Sequence, residues 1–308
     1  MPLDPQAKRV LEAINAGPQF DLDGDINEFR THFAEMEVPS ELIAVARTED
    51  VSIPGPNGEI PVRIYTPEGH RPHPLLVYFH GGGWVIGNLE THDGTCRALC
   101  RGTAAIVISV DYRLAPEHKF PSAPEDCYTA TLWSAEVASS LGGDPNRIAV
   151  AGDSAGGNLA TVTALMIRER GGPSLCHQLL IYPVTDHNFA TRSYQENSEG
   201  YYLTRELMEW FWDKYLPNKD AGSNELASPL RAADLSRLPT ATIITAELDP
   251  LRDEGELYAK RLEEAGVGTR LTRYDGLFHG FFGMGAAIDN AQNAMNEAVS
   301  ALKIAFSK

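Results

Sequence analysis

The stretch RIAVAGDSAGGNLA, residues 147–160, decides the fold. After its leading arginine it is small and apolar, as suits a strand buried on both faces. It turns at Gly152-Asp153-Ser154-Ala155-Gly156, a G-x-S-x-G, and continues into a helical pattern over residues 155–170. Glycines two places either side of a serine fit a strand-to-helix turn too sharp for side chains there. Such a turn lifts Ser154 Oγ above the sheet and aims the N–H groups of the next helix at it. Without the strand, the same five residues would be a glycine-rich turn whose serine caps a helix. With it, Ser154 reads as a nucleophile.

Working outward, further apolar runs predict strands at residues 75–79, 105–110, 179–182, 241–246 and 270–274. Helical patterns fall between them at 91–101, 123–140, 252–265 and 286–306. This alternation predicts an α/β class with a mostly parallel central sheet flanked by helices. Two strand-like runs, 47–53 and 59–65, precede it and are joined by GPNG. Residues 186–226 break the rhythm with the aromatic-rich helix LTRELMEWFWDKYL. That insertion and the N-terminal helices are expected to form a helical cap. The division is therefore 1–45 for N-terminal cap helices and 46–308 for the core carrying the insertion. The plainer alternative has Trp210, Phe211, Trp212 and Tyr215 packing the helical layer of the sheet.

A serine hydroxyl needs a base within hydrogen-bond reach. Three histidines follow it: His177, His187 and His279. His177 is read as preceding a strand, at the edge away from Ser154, and His187 as entering the inserted segment. His279 sits after the last strand, in the loop rim that also holds Ser154, and is expected to be the base. The orienting acid should come after the preceding strand, where Glu247, Asp249 and Asp253 stand. Asp249 is preferred, although it would also serve as an N-cap before Pro250. Asp253 is the second choice, and Glu247 is expected to support the loop. The run His80-Gly81-Gly82-Gly83-Trp84 follows a strand and permits close approach of backbone N–H groups to a developing oxyanion. A further N–H is expected from Ala155. No Gly-Lys-Ser/Thr follows, so the loop is not a Walker A phosphate cradle. For His80 a bond to the backbone of its own loop is expected, in preference to catalysis.

Composition narrows the partners. With 26 Lys and Arg against 42 Asp and Glu, the formal net charge is −16, which disfavours nucleic acid and anionic membranes. No signal peptide is recognised in the first twenty residues, and the most apolar stretch, LLVYFHGGGWVIG, is too short and glycine-broken to span a bilayer. No membrane insertion is expected. Four cysteines make no disulfide framework at this length, so free thiols and a cytoplasmic location are expected.

Taken together, HGGGWVIGN, DYRLAPEHKFP, GDSAGGNLA, DPLRDEG and FHGF closely resemble the blocks of the bacterial hormone-sensitive-lipase family (family IV) of carboxylesterases. The resemblance runs from about residue 45 to the C-terminus. It implies the α/β-hydrolase fold, Asp249 as the acid, and Gly82, Gly83 and Ala155 as the oxyanion hole. It also implies a small-molecule ester substrate of short to medium chain, no cofactor or metal, and a homodimer. The same residues would serve an acyltransferase. A non-catalytic ligand-binding member of the fold lacks the histidine, which is present here as His279. Trp84, Tyr182, Phe189, Leu203 and Phe281 are expected to line the substrate pocket.

Overall fold

A computed structural model describes residues 2–17, 21–35 and 43–308. Residues 18–20 and 36–42, parts of the expected N-terminal cap stretch, lie outside the described residues. The chain opens with α1 (Pro5–Ala16) and α2 (Ile26–Glu35), then the hairpin β1 (Arg47–Gly55) and β2 (Gly58–Thr66). Next come β3 (His73–Phe79), α3 (Asp93–Thr103), β4 (Ile106–Val110), α4 (Ser122–Leu141), β5 (Gly143–Asp153), α5 (Ala155–Arg170) and β6 (Leu175–Ile181). After the inserted α6 (Arg192–Glu196) and α7 (Arg205–Tyr215) follow β7 (Thr240–Leu248), α8 (Arg252–Glu264), β8 (Thr269–Phe278) and α9 (Asp289–Phe306).

The eight strands form one sheet in the order β1-β2-β4-β3-β5-β6-β7-β8. β3 to β8 pair in parallel, whereas β1, β2 and the β2–β4 pair are antiparallel. Every residue of β3 and β4 is buried, which explains why these runs are apolar on both faces. Alternate residues serve opposite layers. Leu75, Val77 and Phe79 enter the core shared with α4 and α5, whereas Leu76 and Tyr78 enter the one shared with α3 and α9. Each such aliphatic side chain withdrawn from water contributes about 1.5–3 kcal/mol.

Most strands run longer than their apolar cores predict, and in β6, β7 and β8 the added residues bear on where His177, Asp249 and His279 lie. β6 begins at Leu175, so His177 lies within the strand and not before it. Its buried ring is accepted there because Nδ1 and Nε2 lie 2.8 and 3.0 Å from Thr240 and Thr242 Oγ1 on β7. β7 continues to Leu248 and β8 to Phe278, and these two residues pair. Asp249 and His279 therefore follow their strands directly, in adjacent ladders.

The inserted α7 turns its aromatic face toward Trp84 and α2. Trp84 stacks on Tyr215 with centroids 4.1 Å apart and planes 6° from parallel. Phe29 of α2 meets Trp210 edge-on at 5.4 Å, and Trp210 Nε1 donates to Leu22 O at 2.8 Å. Arg30 ties α2 down further, donating to Val85 O and Ala115 O and pairing with both oxygens of Glu117.

Candidate active site

The chain passes from β3 out to β4 and then back past β3 to β5, which makes a topological switch between β3 and β5. Phe79 and Gly152 are partners across that pair, so the loops leaving their carboxyl ends face each other. One is the triple-glycine loop and the other the turn bearing Ser154. Ser154 has φ 55° and ψ −119°, a backbone state that costs about 1–3 kcal/mol and persists only where surroundings impose it. Those surroundings are close. A Cβ on Gly156 would overlap the Phe79 carbonyl, and one on Gly152 would overlap the Gly156 backbone. Ser154 N donates to Ile181 O at 2.8 Å, fixing the turn to β6.

His279 Nε2 lies 2.9 Å from Ser154 Oγ, and its Nδ1 lies 2.7 Å from Asp249 Oδ2. A carboxylate only accepts, so the proton belongs on Nδ1, which leaves Nε2 to accept from the serine hydroxyl. Asp249 is fully buried, and its other oxygen accepts from Leu251 N at 2.8 Å. Asn197 Nδ2 donates to the Asp249 carbonyl at 3.2 Å. Asp249 thus both opens the turn into α8 and faces the imidazole. Asp253 is occupied elsewhere, accepting from Ser193 N at 2.8 Å and pairing with Arg252 at 2.9 Å. Glu247 accepts from Gly276 N at 2.7 Å and so steadies the loop before His279.

In the glycine loop, Gly82 and Gly83 hold φ 110° and 58°. A Cβ on Gly83 would drive into the Phe211 ring of α7. Gly81 N–H is committed to Asp153 Oδ1 at 3.1 Å. The N–H groups of Gly82, Gly83 and Ala155 have no acceptor among the described residues. His80 Nδ1 lies 2.7 Å from Gly81 O and fixes the peptide that carries the Gly82 N–H. Its ring stacks on Tyr112 at 4.3 Å, and Tyr112 Oη donates to His80 O at 2.8 Å. Burial, with nearby His92, pushes His80 down to about 3, so the ring stays neutral with Nε2 bare.

Asp153, Tyr78, His92 and Asn197 escaped the reading of the sequence as site residues. Asp153 accepts from Tyr78 Oη at 2.6 Å, and His92 Nε2 is 3.3 Å from its Oδ1. Burial raises the Asp153 carboxyl, but His92 and the hydrogen bonds from His92 and Tyr78 outweigh it and hold the group below its ordinary value. Asp153 was open to view as the x before serine, but no spacing rule points to His92 or Asn197.

The expected pocket-lining residues divide. Trp84 and Phe281 are completely buried, Trp84 between Tyr215 and Trp212, Phe281 against Tyr182 and Tyr274. Neither presents a surface to a ligand, so both are corrected to core. Tyr182 sits at the site, its ring centroid 4.5 Å from that of His279, and Leu203 is nearly buried. Phe189 lines a cavity of about 500 Å³ with His187, Trp212, Leu216 and Lys119. Ser154 and His279 do not border it. They are 7% and 5% exposed, so the centre is almost closed. Among the described residues, no group of three or more His, Cys, Asp or Glu side chains is arranged to hold a metal ion.

A profile of the α/β-hydrolase fold family matches residues 76–283. The carboxylic ester hydrolase LipN of Mycobacterium tuberculosis is 44% identical over 93% of this chain and 78% of its own length. An ethyl acetate hydrolase of Pseudomonas putida is 38% identical, with 98% of this chain and 99% of that protein covered. Among solved structures, a hyperthermophilic esterase of the archaeon Pyrobaculum calidifontis superposes with a TM-score of 0.93 at 44% identity, covering 98% of both chains. The chain belongs to the α/β-hydrolase fold family, in its hormone-sensitive-lipase group, and is a carboxylic ester hydrolase.

Proposed function

We propose that Ser154, His279 and Asp249 form the catalytic triad of a short- to medium-chain carboxylesterase acting through an acyl-enzyme. The observation that carries this reading is the unbroken chain Ser154 Oγ, His279 Nε2, His279 Nδ1, Asp249 Oδ2, with steps of 2.9 and 2.7 Å. His279 takes the serine proton as Oγ attacks the ester carbonyl, and Asp249 stabilises the imidazolium without taking the proton itself. The oxyanion is bound by the N–H groups of Gly82, Gly83 and Ala155, each such donor typically worth about 2.7–4 kcal/mol in the transition state. His279 protonates the leaving alcohol, then activates the water that cleaves the acyl-enzyme.

Preference for small acyl groups is supported by the nearly closed centre and by the ethyl acetate hydrolase among the relatives. We assign the cap to the N-terminal residues 1–45 and to the inserted segment at about 186–226. The packing of α2 and α7 over the glycine loop supports this. Homodimerisation through the free edge of β8, where Leu271 is exposed, and a cytoplasmic location with its four unpaired cysteines complete the reading. Among the described residues, no helix is long and apolar enough to cross a membrane.

The test is a rate series on p-nitrophenyl esters from acetate to palmitate, with Ser154→Ala, His279→Ala and fluorophosphonate labelling. Turnover should fall off beyond medium chains, both variants should lose it, and only chains retaining Ser154 should be labelled. Near-native turnover in either variant would sink the assignment.

A further inference from the structure

We propose that His92 is a positioning residue for ester hydrolysis, holding the oxyanion loop through the carboxylate of Asp153; this rests on the oxyanion reading above. His92 occupies the N-cap position of α3, where a short polar side chain normally accepts from the first free N–H groups. Its side chain makes no cap bond. It turns back instead, placing Nε2 3.3 and 3.4 Å from the two oxygens of Asp153, which only an Nε2–H tautomer can serve as donor; Gly81 N, 3.2 Å from Nε2, then keeps its own bond to Asp153 Oδ1. Nδ1 is 2.9 Å from Thr91 Oγ1, which in turn bonds the backbone of Asn88. The ring is thus held from both ends.

Asp153 needs such a partner. It adjoins the nucleophile in sequence, and its Oδ1 fixes Gly81 N, one peptide before the N–H of Gly82. Oδ1 already accepts from Tyr78 Oη and Gly81 N, but without a donor near Oδ2 the buried carboxylate would still repel the oxyanion that Gly82 and Gly83 are to bind. A donor from His92 offsets that charge and keeps the carboxylate turned toward Gly81. With Gly81 O held by His80, both ends of Gly81 are then fixed, and the direction of the Gly82 N–H with them. The groups facing His92 are Asp153, His80 at 5.5 Å and Tyr78 at 6.2 Å between ring centroids. Tyr78 already donates to Oδ1 and His80 Nδ1 is engaged with Gly81 O, so neither stands in for His92 beside Oδ2.

The experiment uses the full chain with His92→Gln, His92→Asn and His92→Leu, assayed on p-nitrophenyl butyrate. A Gln amide reaches where Nε2 stood, whereas an Asn amide stops short. Loss of the donor should lower kcat about tenfold or more with KM within about threefold, less than the roughly 10²–10³ for a direct oxyanion donor. His92→Gln should recover most of that loss and His92→Asn should not. The Leu substitution should have a smaller effect in an Asp153→Asn background, because its partner is then uncharged. Equal kcat in the Gln and Asn variants, or native kcat in His92→Leu, would overturn the proposal, and the Gln–Asn pair decides it even if the Leu variant does not fold. Failure of the wild-type chain to take a fluorophosphonate on Ser154 would count instead against the triad and oxyanion reading.

Discussion

Asp249 and Asp253 stand four residues apart on the same turn into α8, and only one can orient His279. Asp249 points an oxygen at Nδ1, whereas both oxygens of Asp253 are engaged with Ser193 and Arg252. Replacing Asp249 by Asn keeps the shape but offers an amide that permits the wrong imidazole tautomer. kcat should drop by about 10⁴-fold, while Asp253→Asn should stay within about tenfold of the parent. Steady-state kinetics on a soluble short-chain ester checks both, and a large loss confined to Asp253→Asn would reverse the assignment. At this scale the sequence was most legible where chemistry forces an unusual backbone. Gly152 and Gly156 flank Ser154 because a side chain at either would strike backbone that cannot move. His92 was illegible because it works through a partner distant in sequence, and Trp84 misled because a large aromatic beside the glycine loop serves core and pocket equally well.

Among the elements, α2 reaches the site without contributing a reacting atom. Its Arg30 donates to Val85 O at 2.9 Å, three residues past Gly82, and to Ala115 O at 3.0 Å, and pairs with Glu117. Bonds from a charged donor to backbone carbonyls are about 1.5–3 kcal/mol each when partly shielded, so the latch matters more than its exposed ion pair. Arg30→Ala should lower kcat/KM several-fold on the butyrate ester and increase amide hydrogen exchange in residues 26–35 and 82–86, with little change in β3. Unchanged exchange in both segments would mean that α2 is held by Phe29 and its aromatic neighbours alone. Element existence was readable from apolar runs, and α5 matches its expected span of 155–170. Strand ends were less so. β6 hides its first half behind His177 and Gln178, polar residues buried with Thr240 and Thr242 bonding both ring nitrogens of the one and Pro239 O accepting from the amide of the other. β8 hides its last residues behind Gly276, which reads as a turn when taken alone.

For the molecule as a whole, the parallel sheet gathers the loops after β3, β5, β7 and β8 on one rim and leaves the opposite rim to stability. His177 lies toward that opposite rim, and burial, with Lys308 adding a smaller push, lowers it from 6.5 to about 4. Folding therefore binds the neutral ring, while the unfolded chain takes up a proton below its ordinary value. A histidine depressed in this way contributes stability that is fully present above 6.5 and is lost as pH falls toward about 4. His80, held at about 3, acts in the same direction to lower pH but lies under the glycine loop, so His177 is the cleaner probe. Glu254 works oppositely. Burial raises it, so its contribution is present below the usual carboxylate range and is lost as pH rises, which cannot produce an acid limb. At pH 4.5 the His177 contribution is reduced by roughly 2–3 kcal/mol, which for a chain of this length is about 4 °C in Tm. A glutamine there retains hydrogen bonding to the two threonines without a titrating proton. The gap in Tm between wild type and His177→Gln should therefore shift by about 4 °C in favour of the variant between pH 7 and 4.5, with activity at pH 7 unaffected. Thermal melts at half-unit pH steps measure it, and a gap that stays constant across the range would remove His177 from the acid limb and leave the carboxylates to explain it.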